Sequence, residues 1–175
     1  MPALTLPPSL RRLLAAALMP VLLAAPTLAA ALEEDQEQPV YLEADSVELD
    51  ELKAISIYTG NVFIQQGSMQ IRADQVTVHH YPDRRPERII AVGAPAKYRQ
   101  QLEDDEREVE AEALRMEYEA GKDEITLIDQ AVLLQGEDRF SSDRIVYDRA
   151  NGRVSAGTKA QGKERVKITI NPSQR

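Results

Sequence analysis

Few residues in this chain have the types and spacing that chemistry requires. His79 and His80 are the only histidines, and they are adjacent. Neighbours on a strand point to opposite faces, so the two rings do not chelate one ion and read as exposed loop-edge side chains. Four carboxylates, Asp45, Asp74, Glu112 and Asp143, each follow a small residue in similar surroundings. Such a set could ligate calcium or supply an acid–base pair, but its repeated place favours a structural role. The run Glu103-Asp104-Asp105-Glu106 lies between Tyr98 and Val109 and reads as a solvated hairpin tip. With no cysteine there is no thiol nucleophile, no disulfide and no zinc–thiolate site. Nucleophile-elbow, Walker, HExxH and EF-hand patterns are all missing. These residues point to no catalytic centre, metal or cofactor.

The elements that must position such residues are those of a single domain. The chain has 175 residues, 43% of them apolar and 29% charged, enough to build a core. Its net charge of −8 argues against sequence-blind binding to nucleic acid. Residues 1–31 read as a cleaved signal peptide. Arg11 and Arg12 precede an uncharged stretch from Leu13 to Leu32, and the small residues Ala29-Ala30-Ala31 precede the acids Glu33-Glu34-Asp35. Pro20 and Pro26 interrupt the apolar part and speak against a retained membrane anchor. Removing Arg11 and Arg12 from the 21 basic residues leaves 19 against 29 acidic ones, a net charge of −10. An exported chain without cysteines points to a bacterial periplasm.

From residue 38 onward, period-two alternation dominates and one unit occurs four times. Leu42-x-Ala44-Asp45-x-Val47-x-Leu49 is followed by Ile71-x-Ala73-Asp74-x-Val76-x-Val78. Val109-x-Ala111-Glu112-x-Leu114-x-Met116 and Phe140-x-Ser142-Asp143-x-Ile145-x-Tyr147 complete the set. The small residues are spaced by 29, 38 and 31. A step of three after each small residue would turn the strand over unless the chain bends there. The spacing therefore predicts a corner at each acid, with both halves of a bent strand facing one core. Second strands follow at Ile55–Ile64, Ile89–Gly93, Ile125–Ile128 and Val154, with a second recurring bend at Gly60, Gly93, Asp129 and Gly157. Asn151-Gly152 is a hairpin signal. Alternation does not settle which face Ile55, Ile57 and Tyr58 use. Helix formers crowd Val109–Ala120, but the repeat outweighs propensity there. The fold class is all-β, with many short antiparallel strands.

Taken in order, several stretches resemble the periplasmic lipopolysaccharide-transport proteins of the LptA (OstA-like) type. They are Gln38-Pro39-Val40, Ala44-Asp45, Thr59-Gly60-Asn61-Val62 with Gln66-Gly67, and Ala73-Asp74-x-Val76. Gly93-Ala94-Pro95-Ala96-x-Tyr98, Arg165-Val166 and Pro172-Ser173-Gln174 extend the likeness to nearly the whole exported chain. Asp129-Gln130-Ala131 departs from it, standing where the family often repeats Gly-Asn. The resemblance implies a single twisted β-jelly-roll over residues 32–171, open at both ends, with residues 172–175 as a short tail. It implies an interior groove for the acyl chains of lipid A. It also implies edge-to-edge pairing of copies with each other and with LptC at the inner membrane and LptD at the outer membrane. Val40, Tyr98, Leu114 and Tyr118 fall where the family has lipid-facing residues.

The physics of the sequence agrees with that implication without demanding it. Each exposed methylene costs roughly 0.8 kcal/mol, so a twelve-carbon chain needs about 9 kcal/mol of shielding to cross water. Leu42, Val47, Leu49, Ile71, Val76, Val78, Met116, Ile145 and Tyr147, beside the four family positions, form an inner face that could supply it. The same residues could instead pack together as a closed sandwich core. Two edges complete the expectation: Val40-Tyr41-Leu42 at one end and Val166-x-Ile168-x-Ile170 at the other. Left open, they favour head-to-tail growth; paired with each other, they would close the molecule. The function read from all this is a non-enzymatic lipopolysaccharide-binding bridge. The alternative is a periplasmic glycan-binding or glycan-processing β-protein, which would need two close carboxylates and an aromatic platform.

Overall fold

A computed structural model describes residues 38–101 and 108–171. The leader, the acidic run 103–106 and the tail 172–175 lie outside the described residues. The chain forms one ten-stranded antiparallel sheet. Its strands are β1 (Val40–Glu43), β2 (Ser46–Asp50), β3 (Ile55–Gln66), β4 (Met69–His80) and β5 (Pro86–Gln101). They continue with β6 (Glu108–Glu119), β7 (Glu124–Gln135), β8 (Asp138–Asp148), β9 (Arg153–Ala156) and β10 (Lys167–Thr169). Consecutive hairpins run from β3 to β8. β1 and β2 both pair with β3, and β9 and β10 both pair with β8. The helix formers of 109–120 are strand β6, as the repeat requires.

Every long strand is bent near its middle. Pairing breaks at Gly60-Asn61 opposite Asp74, at 93–95 opposite Leu114, and at Asp129-Gln130 opposite Leu114 and Asp143. β4, β6 and β8 thus turn the corner on one residue, while β3, β5 and β7 use two or three. The step of three keeps both halves on one face, so Ala73 joins Val76 and Val78, and Ala113 joins Met116, in one buried cluster. In the third unit the corner falls at Leu114, two residues later than the acid pattern predicts. The small residues are then 44, 73, 113 and 142, spaced by 29, 40 and 29. Glu112 imitates the small–acid pair but lies on the outer face, where it meets Lys97 Nζ at 2.9 Å.

The bends are held by local chemistry that differs from one to the next. Gly60 has φ +83°, and a Cβ there would lie 2.2 Å from Asp45 Oδ2. Asp45 N donates to the Gly60 carbonyl at 2.9 Å, and Asn61 Nδ2 donates to Asp45 Oδ2 at 2.9 Å. Asp143 accepts the backbone N–H of Lys163 at 2.7 Å and of Glu164 at 3.2 Å, which carries the chain from β9 towards β10. Asp129 and Gln130 hold the same left-handed conformation (φ 61° and 54°) without glycine, a conformation Asp tolerates better than Gln.

Cross-strand partners share a face, so the register reads out the inner surface as rungs. One rung runs Val47, Tyr58, Val76, Ala91, Met116, Leu127, Ile145, Ala156. The next runs Leu49, Ser56, Val78, Ile89, Tyr118, Ile125, Tyr147, Val154. Beyond the corner, Leu42, Ile64, Ile71, Tyr98, Ala111, Leu133, Phe140 and Ile168 form another. Tyr58 and Ser56 therefore face inward, and Ile55 and Ile57 outward.

Two outcomes follow. Leu127 is 0% exposed at the centre of its rung, so Leu127→Ala should destabilise the fold by about 2–5 kcal/mol in denaturant titration. The Lys163 amide, with those of Glu164 and the Ser142 hydroxyl, holds the Asp143 carboxyl below the usual carboxylate range. A lowered folded pKa stabilises above the unfolded value, and that contribution disappears as pH falls through the folded one. Asp143→Asn should therefore lower the melting temperature at pH 7, and the gap to the parent protein should close below about pH 4.

Candidate functional site

The two strand halves face each other across a groove of about 660 Å³. Tyr81, Arg85, Gly121, Asp123 and Arg149 reach it from turns at one end of the strands, Gln66 and Met69 from the other. Residues from opposite strand ends can line one groove only because the sheet folds over along its line of corners. The floor is apolar: Ile71, Ile89, Ala91, Met116 and Ile125. Its volume falls within the roughly 300–1,000 Å³ of small-molecule sites.

Among the predicted interior residues, Ile71, Tyr98, Met116 and Tyr118 line the groove. Val76, Val78, Ile145 and Tyr147 are buried in the packed cluster, with Leu42 against its flank. Groove and packed core thus share residues: Tyr98 and Met116 belong to the buried cluster and also border the groove. Val47 and Leu49 stand on inward rungs but are 57% and 65% exposed, because β2 is the last strand on that side. Val40 is likewise exposed beside β3. Leu114 is the exception. As a corner residue it occupies the place that Asp74 and Asp143 hold, and it neither lines the groove nor packs on the cluster. The acid pattern misplaced it by two residues.

The two edges lie at opposite ends of the sheet and do not pair with each other. β10 covers only Lys167–Thr169, shorter than the alternation of 166–170 suggests. Val166 instead packs over Gly157, where an added Cβ would meet its Cγ2 at 2.8 Å. Tyr41, Ile168 and Ile170 are 66%, 53% and 70% exposed, so each edge shows apolar surface to solvent.

One feature of the groove went unread in the sequence. Arg149 lies in the groove wall with its side chain only 10% exposed. Its Nη1 meets Asp123 Oδ1 at 3.0 Å, and its guanidinium carbon lies 5.6 Å from the centroid of the Tyr118 ring. Tyr118 OH donates to Asp123 Oδ1 at 3.1 Å. Tyr98 OH donates to Gln100 Oε1 from the facing half of the sheet. Burial alone would push Arg149 down, but the charges around it, the Asp123 carboxylate among them, outweigh it and keep the guanidinium protonated. Burial pushes the Tyr98 and Tyr118 hydroxyls up, so both stay neutral donors. The signal was available: period-two counting from Ile145 through Tyr147 places residue 149 inward.

His80 is engaged by Ser56 Oγ at 2.9 Å and by the Arg84 carbonyl at 3.1 Å. The four carboxylates of the repeat, Asp45, Asp74, Glu112 and Asp143, form no metal cage; among the described residues no three His, Cys, Asp or Glu side chains come together as one. Of the described residues lining the groove, Asp123 is the one carboxylate, so no acid pair faces it.

A single bent antiparallel sheet enclosing an apolar groove, with both edges uncovered, defines the class: an open β-jelly-roll. A profile of the family described as LptA/(LptD N-terminal domain) LPS transport protein matches residues 41–153. The lipopolysaccharide export system protein LptH of Pseudomonas aeruginosa is 33% identical over 155 residues, covering 85% of this chain and 88% of that one. The lipopolysaccharide export system protein LptA of Escherichia coli K12 is 34% identical over 154 residues, 87% of this chain and 82% of its own. The crystal structure of LptH, titled the LptA-homologous periplasmic component of the lipopolysaccharide transport device of P. aeruginosa, superposes with a TM-score of 0.71. It is 34% identical and covers 79% of this chain and 99% of that one. This chain belongs to the LptA/LptD N-terminal domain family, as its sequence resemblance implied.

Proposed function

We propose that this protein is a non-enzymatic periplasmic carrier of lipopolysaccharide, holding acyl chains in its groove as part of a bridge between the two membranes. The observation that carries the reading is an inner face left partly unpacked. Ile71, Ile89, Ala91, Met116 and Ile125 border open volume as well as one another. A chain of twelve methylenes laid there would shed about 9 kcal/mol of unfavourable hydration. The relatives are named as lipopolysaccharide export proteins, and the groove chemistry suits that cargo. The single lining carboxylate gives no support to glycan hydrolysis, which uses two.

Bridging would use the two edges. β1 and β2 offer Tyr41, Val47 and Leu49; β10 offers Ile168, with Ile170 just beyond it. These are different surfaces, so a contact between them is head-to-tail and does not close on itself. Adding a strand there continues each inward rung into the next copy, which extends the groove as well as the sheet. By the same geometry, LptC at one end and the N-terminal domain of LptD at the other would terminate the row.

Photoreactive side chains test the groove directly. Placed at Ile71 or Met116 in the purified protein, they should cross-link to lipopolysaccharide. At Leu114, a corner position, and at Glu117, which faces outward between Ile90 and Thr126, they should not. Labelling at Leu114 with none at Ile71 or Met116 would refute the placement of the chains.

A further inference from the structure

Resting on that reading, we infer that the groove is polarised: Arg149, with Arg85 at the lip, receives the anionic phosphate end of the amphiphile while its chains lie along the apolar floor. A groove for acyl chains alone has no use for a guanidinium, and burying one is costly unless it is paired. Here the cation is nine-tenths buried and still not saturated. Asp123 takes Nη1, whereas Nε has no hydrogen-bond partner among the described residues. Arg88 and Arg144 also have an unpartnered Nε. Both, however, lie outside the groove, whose lining includes Arg149 alone of the three.

The surroundings are arranged as a half-finished anion site. Tyr118 OH and the Arg149 guanidinium meet at Asp123 Oδ1. An entering phosphate can share the guanidinium with Asp123, which leaves Nε unpartnered. Arg85 borders the same groove, 77% exposed and paired with Asp83 at 2.7 Å. It is therefore placed to hold a charged group that stays near water. Among the described residues the charged wall is on one side only. The opposite lip supplies Gln66, Met69 and Gln100, all uncharged. An amphiphile would enter in one orientation, with its phosphate towards the turns at 81–85, 120–123 and 149–152.

The decisive comparison uses hexa-acyl lipid A, the same lipid with its phosphates removed, and inorganic phosphate as competitor. Asp123→Asn combined with Arg149→Met removes both charges together, which leaves no lone buried ion to unfold the protein. A melting curve and retained binding of the dephosphorylated lipid establish that the variant folds. The parent protein should bind the phosphorylated lipid at least about tenfold more tightly than the dephosphorylated one, as a charge-assisted hydrogen bond implies. The double variant should lose that preference and keep the weaker affinity, while Arg149→Lys should keep part of it. No preference in the parent protein, or an undiminished one in the double variant, would overturn the inference and leave the carrier reading intact. Loss of the preference in millimolar inorganic phosphate, with both lipids still bound, would support the site, because free phosphate competes for the same donors. Failure of either lipid to bind the parent protein would overturn the carrier reading itself.

Discussion

An antiparallel sheet with one apolar face, and among the described residues no α-helix or second sheet to cover it, can bury that face only against itself. This constraint organises the molecule. The line of corners crossing β3 to β8 folds the sheet over so that rungs from the two halves of the same strands confront each other. The facing halves close around Leu127, Leu133 and Ile145, each no more than 1% exposed. Beside Ala91 and Ala120 a groove remains.

The same constraint leaves the edges unfinished. An inward rung that ends at Val47, or at Ile168, has no neighbour beyond it among the described residues, which leaves the residue exposed. A closed barrel would have removed both edges and sealed the interior. Self-covering without closure keeps groove and edges together, and a row of such units would share one apolar interior. Among the described residues lining it, the Asp123–Arg149 pair places charge in one wall of that interior.

Much of this architecture was legible in the residues. The small–acid step in three of the four units marks true corners, because a bent strand must insert a residue to keep its apolar side inward. The third unit misled because its corner carries Leu114 where the others carry aspartate, while Ala111-Glu112 supplies a false match two residues earlier. Any reading keyed to acids had to shift there. Edge positions were legible as alternation but not as exposure, since pairing partners are a property of topology. The split between packed core and groove was hidden for a similar reason. It depends on which side chains confront one another across the fold, as Tyr98 and Arg149 do, and no spacing along the chain encodes that. Arg149 itself was within reach of simple alternation, yet a charged residue just before a turn signal reads by default as solvent-facing.

The measurement that bears most directly on this account is a cavity-filling substitution. Ala91 lies at the groove floor and is 3% exposed. Enlarging a residue in a closed core costs about 1–3 kcal/mol. Into an existing groove the same change adds apolar contacts without strain. Ala91→Phe, measured by denaturant unfolding and by lipopolysaccharide binding, should leave stability unchanged or raised and abolish binding. A variant that is destabilised by a few kcal/mol yet still binds lipopolysaccharide normally would contradict the account, placing the lipid somewhere other than inside the folded sheet.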